Sequence, residues 1–402
     1  MELSAIRELI RLSSKKIVLL VLDGLGGLPI KPNSQTELEA ANTPVMDKLA
    51  AEGVLGLSTP IAPGVTPGSG PAHLALFGYD PLKFIVGRGV LEATGIGIKI
   101  AKGDIAARGN FCTIDAAGLI TDRRAGRISS DLAEPIVDRL NSIAIAGFQV
   151  EVRHVREYRF AAVLRGSSYR PELEDTDPQH IGLAPLKVQA KEPAAEETAQ
   201  IFNKWIEGTR RILSNEKLAN GLTLRGFSTD PQLPQYENTF GLKAACIAVY
   251  PMYRGVSKLV GMDIINFTGE QPQDEFAAAS SEWGSYDFFF IHIKRTDSKG
   301  EDGDFEGKVA VIEGVDQAIP MLLDLSPDVL LITGDHSTPA RMRQHSWHPV
   351  PLLLWAPETA RADEEKVFGE TACRRGGLGS IPATSILPLL LAHSARLGKF
   401  GA

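Results

Sequence analysis

The stretch KKIVLLVLDG, residues 15–24, decides the fold: Ile17 to Leu22 are apolar without a break, and the run stops at Asp23-Gly24. A strand with one wet face alternates apolar and polar residues, whereas an unbroken run suits a central parallel strand buried on both faces. The same recipe recurs near the other end of the chain. YDFFFIHIK (286–294) leads to Asp297, DVLLIT (328–333) leads to Gly334-Asp335-His336, and VPLLLW (350–355) follows. Helical patterns at 44–52, 305–323 and 382–397 lie around them. Strands alternating with helices predict an open, mostly parallel α/β sheet with helices on both faces.

Between Gly87 and Ala190 the segments are shorter and richer in turns, at 104–115, 148–155 and 158–165, with a helix over 130–142. They read as a mixed or antiparallel sheet. A smaller α+β domain spanning 87–190 is therefore expected as an insertion into a core made of 1–86 and 191–402. A polar helix at 194–215 belongs to the return path.

Composition narrows the function. Of 402 residues, 42 are Lys or Arg and 49 Asp or Glu, giving a net charge of −7, which disfavours a nucleic-acid surface. Cys112, Cys246 and Cys373 are odd in number and far apart, which suits a reducing compartment and argues against a disulfide framework. The longest apolar runs fall short of the roughly 18–20 residues of a spanning helix. Residues 1–16 mix Glu2, Arg7, Glu8 and Arg11 with apolar positions, so they read as an amphipathic helix rather than a signal peptide. A cytoplasmic protein without membrane or nucleic-acid partners is expected.

Asp23, Asp297 and Asp335 each follow an apolar strand, the edge of an α/β sheet where ligands bind. Any one of them could be a helix cap. Together, with His336 and His345, they have the composition of a divalent-metal site, binuclear in extent, because converging buried carboxylates cost several kcal/mol each without a cation. The loop GVTPGSGPAH (64–73) holds three Gly and two Pro and must be turn-rich. Ser69 near its end either caps the following helix or presents a hydroxyl to a phosphoryl group at the helix N-terminus.

Several motifs carry a family resemblance. VLDG (21–24), PGSGPAHLALFGYDP (67–81), GRGVLEA (87–93), DRRAGR (122–127), TDSKGEDG (296–303), TGDHSTP (333–339) and HSWHPVP (345–351) resemble the cofactor-independent phosphoglycerate mutases of the archaeal type, in the alkaline phosphatase superfamily. The resemblance implies an alkaline-phosphatase-like sheet and interconversion of 2- and 3-phosphoglycerate without a bisphosphate cofactor. It also implies Ser69 as the phosphorylated nucleophile, with His73 at the family's Ser-x-x-x-His spacing. One divalent cation, Mn²⁺ or Mg²⁺, would be held by Asp23, Ser69, Asp335 and His336, and a second by Asp297 and His345. The family's third ligand at that second position is His, four residues after Asp297; this chain has Glu301 there. A carboxylate makes the site harder and richer in oxygen. Asp302, Asp304 and His348 are the nearby substitutes.

The reaction so implied requires that water be kept out while glycerate turns over a phosphoserine, so the insert is expected to act as a lid. The substrate carboxylate calls for cations: Arg88, Arg123, Arg124 and Arg127 in or beside the insert, Arg254, Lys258 and Lys294 in the core. Arg123 and Arg127 are favoured by their motif and by four-residue spacing, which could put both on one helical face or around one turn. His154, His180 and His348 read as surface or supporting residues, and His292 as a packed histidine with a hydrogen bond. Related enzymes of the same fold (a phosphatase, a phosphopentomutase, a homoserine-kinase-like phosphotransferase) share the metals and differ in the anion-binding residues; a non-catalytic metal-binding protein is the other alternative. Oligomeric state is not legible.

Overall fold

The computed structural model describes residues 2–401. Among them thirteen strands follow in chain order: β1 (Ile17–Leu22), β2 (Val54–Thr59), β3 (Ile105–Ile114), β4 (Ile120–Asp122), β5 (Gln149–Arg156), β6 (Arg159–Arg165), β7 (Gly221–Ser228), β8 (Ala244–Ala248), β9 (Asp263–Ile264), β10 (Phe288–Ile293), β11 (Val329–Thr333), β12 (Val350–Trp355) and β13 (Gly379–Pro382). The chain divides into two compact units, one made of Met1–Ile85 with Leu233–Ala402, the other of Val86–Gln232.

The first unit holds an eight-stranded sheet in the order β13-β2-β12-β11-β1-β10-β8-β9. Only β12 runs against the rest. The unbroken run at 17–22 is its centre: all six residues of β1 are buried, with β10 and β11 parallel on either side. Because Leu22 pairs with Ile293 and Val21 with Thr333, the three strands end at nearly one level.

Both sheet faces are covered, as a continuous apolar strand demands. On one face Val18, Leu20, Leu22, Phe289, Ile291 and Ile332 join a core with Leu49, Phe276 and Ile312 from three helices, Pro44–Glu52, Pro272–Ser281 and Phe305–Ala318. The other face presents Phe288, Phe290 and His292 to the rings of Tyr236, Phe77 and Tyr253.

Two helices are shorter than expected. The 305–323 pattern ends at Ala318 and resumes as a turn at Pro320–Leu323, since proline has no N–H for the ladder. The 382–397 pattern contracts to Ile386–His393 behind a tight turn at Ala383–Ser385. Strands β2 (VLGLST) and β13 (GSIP) lie on the sheet without the apolar runs that mark their neighbours.

The second unit is an antiparallel sheet, β4-β3-β6-β5, with β7 pairing along β3. Its compact boundary corrects the expected 87–190: the unit runs on to Gln232. Residues 221–228 form β7, which pairs with β3 alongside that strand's other partners, β4 and β6. Helix Glu196–Leu213 reads as polar overall, yet one face carries Phe202 and Trp205 into the core beside Phe111 and Phe160. Among the described residues no helix is long and apolar enough to cross a membrane.

Candidate active site

The level ends of β11, β1 and β10 bring three aspartates together. Asp23 follows β1, Asp335 follows β11 by one residue, and Asp297 lies in the first turn of helix Arg295–Asp302 behind β10. Their relative exposures are 0, 0 and 1%. The chain can fold this tightly only because Gly24 follows Asp23. Gly24 has φ +64, and a Cβ there would stand 2.4 Å from Thr338 Oγ1 and 3.0 Å from Asp297 Oδ1. Its N–H donates to Asp335 Oδ1 at 3.1 Å, tying the β1 loop to the β11 loop.

Ser69 reaches the same place from the glycine-rich loop. Gly68 is the N-cap of helix Ser69–Leu76, so Ser69 is its first residue and makes no capping bond. The cap reading therefore gives way. Ser69 Oγ lies 3.3 Å from His336 Nε2. On that nitrogen also converge Asp335 Oδ2 at 3.2 Å and Asp23 Oδ1 at 3.4 Å. A second group shares His336: Asp297, His336 and His345 offer ligand atoms within 4.8 Å of one another, as do Asp23, Asp335 and His336. Asp297 Oδ1 is 3.6 Å from His345 Nε2, and the His336 and His345 rings stack at 3.6 Å between centroids.

The oxygens that converge are those left free by their surroundings. Asp23 Oδ2 takes the Tyr253 hydroxyl and the Lys294 ammonium, at 3.0 Å for the latter, with His292 Nε2 at 3.4 Å. Asp23 Oδ1 and Asp335 Oδ2, both buried, have no hydrogen-bond partner. Buried carboxylate oxygens are expensive to leave unmatched. His345 Nδ1 lies 3.0 Å from the Pro67 carbonyl, which can only accept, so Nδ1 carries a proton and Nε2 is the nitrogen that faces Asp297. Two carboxyl oxygens without partners and the converging imidazole nitrogens form a donor set that fits divalent cations.

Electrostatics agrees. Burial opposes the charge of Asp23, yet Lys294 and His292 outweigh it and hold the carboxyl well below its usual range. Burial and the Asp23 charge push Asp335 well up. Burial drives His336 well down and His73 down to about 3, so both rings are neutral. For Lys294 burial is overcome by Asp23, Tyr253 and Asp297, which keep the ammonium charged; it is 2.5 Å from Asp297 Oδ2. The Lys294 ammonium thus faces more carboxyl groups than it can neutralise, and burial and the Asp23 charge push Asp335 toward its protonated form.

Two further buried charges clamp the loops. Lys308 Nζ donates to the carbonyls of Gly24, Gly26 and Thr338 at 2.8, 3.1 and 2.9 Å. Glu37 accepts from the N–H groups of Leu28 and Ala340 at 3.1 and 2.7 Å. Both side chains thus join the segment after Asp23 to the one after His336.

Of the other expected site residues, some join the cluster and some do not. Glu301 is on the rim, with Oε1 4.0 Å from His345 Nε2 and a side chain 57% exposed. His73 Nδ1 bonds the Ser69 carbonyl at 2.8 Å and lies 3.3 Å from Asp335 Oδ2. Lys294 bridges carboxylates, where a substrate contact was expected. His292 is packed as anticipated: it stacks on Tyr253 at 3.6 Å, and its Nε2 faces Asp23 Oδ2 at 3.4 Å. Asp304 caps the next helix, and Asp302, like Glu301, is exposed. Arg254 bonds Asn266, and Lys258 is exposed at the end of helix Pro251–Leu259.

In the second unit, Arg88 opens helix Arg88–Gly95 and Arg127 is exposed. Of the helical face or single turn expected for Arg123 and Arg127, the structure has the turn, since Ala125, Gly126 and Arg127 adopt positive φ, +47, +64 and +52. Arg123 forms a two-pronged pair with buried Asp177, at 3.1 and 2.7 Å. Sequence reasoning missed Tyr253, Thr338, Glu37, Lys308 and Asp177. Lys308 had a signal: it falls in line with Ile312, Val315 and Ile319 on the apolar face of its helix.

The profile described as Metalloenzyme superfamily matches residues 15–393. The chain is similar to the probable 2,3-bisphosphoglycerate-independent phosphoglycerate mutase of Aquifex aeolicus, 49% identical across 100% of both chains. It is likewise similar to a protein of that description from Thermus thermophilus, 48% identical over 99% of this chain and 98% of the relative. Among solved structures, a Pyrococcus horikoshii protein superposes with a TM-score of 0.84 at 31% identity, covering 97% of this chain and 100% of that one. The cofactor-independent phosphoglycerate mutase of Thermoplasma acidophilum gives 0.71 at 30% identity, covering 94% and 100%.

Proposed function

The chain belongs to the metalloenzyme superfamily and, within it, to the 2,3-bisphosphoglycerate-independent phosphoglycerate mutases, which are isomerases; from that premise we propose that it interconverts 2- and 3-phosphoglycerate through a phosphoserine at Ser69. The observation that carries this reading is the approach of Ser69 Oγ to His336 Nε2 at 3.3 Å, at the point where Asp23 and Asp335 also converge. In the proposed assignment Asp23, Ser69, Asp335 and His336 hold one divalent cation and Asp297, Glu301 and His345 a second, Mn²⁺ or Mg²⁺. Bound there, such ions act as Lewis acids toward phosphoryl oxygens and lower the pKa of a coordinated hydroxyl.

The chain's own groups do the rest. Ser69 Oγ attacks phosphorus; the phosphorus–oxygen bond to glycerate breaks, and the departing alkoxide takes up a proton equivalent to the one Ser69 gave. Ser69 opens its helix, so the N–H groups of Ser69 and Gly70 have no partner within it and lie at its positive end, which favours a phosphoryl group there. Lys294 keeps its proton and contributes fixed positive charge rather than a base. Glycerate then presents its other hydroxyl, takes the phosphoryl group, and restores the serine.

Purified protein with Mn²⁺ and 3-phosphoglycerate, coupled to enolase, tests this. Turnover is expected without added 2,3-bisphosphoglycerate, and Ser69→Ala should lower it by a factor on the order of 10³ or more. Release of inorganic phosphate in place of 2-phosphoglycerate would make the protein a phosphatase.

A further inference from the structure

Thr338, two residues beyond His336, is fully buried and touches two of the converging side chains, Asp297 and His336. Its Oγ1 is 2.7 Å from Asp297 Oδ1 and 3.0 Å from His336 Nδ1. A hydroxyl has one proton to give. Asp297 takes the Lys294 ammonium on Oδ2, and the Thr338 hydroxyl donates to its Oδ1. What remains on Thr338 toward His336 is a lone pair, which requires a proton on His336 Nδ1. In the neutral ring Nε2 is then bare, and Nε2 is the nitrogen on which Asp23, Asp335 and Ser69 converge.

The hydroxyl is itself held. Thr338 N–H donates to the carbonyls of Gly24 and Gly26 at 3.2 and 3.0 Å, and its own carbonyl accepts from Lys308 at 2.9 Å. Gly300 leaves room for the methyl group: a Cβ there would stand 2.9 Å from Thr338 Cγ2 and 2.2 Å from the Thr338 carbonyl oxygen. With the methyl against Gly300, Oγ1 faces Asp297 and His336.

We propose that Thr338 is a positioning residue whose hydroxyl fixes His336 as the Nδ1–H tautomer and so keeps Nε2 open toward a cation. The proposal rests on the reading of His336 as a cation donor. Groups that orient a liganding imidazole through its other nitrogen typically govern metal affinity by about 10–100-fold.

Two measurements test it on the full chain. In metal-free, ¹⁵N-histidine-labelled protein, NMR should report wild-type His336 protonated on Nδ1, with the signal assigned by its loss in His336→Gln. Titration calorimetry with Mn²⁺ should then show Thr338→Val weakened by about 10-fold or more, and Thr338→Ser within about 3-fold of wild type. An Nε2–H tautomer in the wild type overturns the proposal without any variant needing to fold. So does wild-type affinity in Thr338→Val, or a serine variant as weak as the valine one. A wild type that binds no Mn²⁺ overturns the cation reading, while the tautomer still decides the role of Thr338.

Discussion

Glu301 stands where the sequence resemblance implies a histidine, and its surroundings suit a carboxyl group near a cation. It follows Asp297 by one helical turn on Arg295–Asp302 and lies on the rim of the cluster. Burial and then the Asp297 charge raise its carboxyl above the ordinary glutamate range, so positive charge nearby would be welcome. Replacing Glu301 by His should therefore keep or improve Mn²⁺-dependent turnover. Glu301→Ala should raise the Mn²⁺ concentration for half-maximal activity roughly 10-fold. Metal titrations of turnover that are identical for the three proteins would remove Glu301 from the site. At this scale the sequence was informative where a residue type has few uses, as for Asp335-His336, and silent where a common one is recruited. Thr338 and Tyr253 are ordinary in composition; only their placement beside Asp297 and Asp23 gives them a part.

Among elements, the buried strands were legible because an apolar run with both faces covered leaves one reading, and β12 begins and ends where expected, at 350 and 355. Strand β2 was not, since Gly56 and Ser58 break its pattern and its burial comes from β12 and β13. Helix Ser69–Leu76 begins three residues before its apolar stretch, which moved Ser69 from cap to first turn. The pair in the second unit went unseen because Arg123 and Asp177 lie far apart in sequence. Burial works against the Asp177 charge, but Arg123 outweighs it and holds the carboxyl below its usual range. A depressed folded-state pKa contributes stability that is complete above the unfolded value and is lost as pH falls through the folded one. Asp177→Asn should therefore cost about 1–2 kcal/mol at pH 7, discounted for the partial exposure of Arg123. The gap should close as pH falls below about 3.9, the ordinary aspartate value. Urea unfolding across that range measures it, and a gap that stays constant with pH would remove the ion pair as its cause.

For the whole molecule, the decisive feature is that both ends of the chain build one sheet, so that β11, β1 and β10 lie side by side although long segments separate them in sequence. That was readable from three similar runs, each with an aspartate at its end. The limit at Gln232 was not, because β7 belongs to its sheet through pairing with β3 rather than through any local pattern. The central claim is that residues gathered from most of the chain hold paired cations around one serine hydroxyl. Anomalous diffraction from crystals grown with Mn²⁺ tests it most directly. The account predicts two peaks about 3.5–4 Å apart, one among Asp23, Ser69, Asp335 and His336, the other among Asp297, Glu301 and His345. Ordered Mn²⁺ bound elsewhere, with no peak at His336, would contradict it.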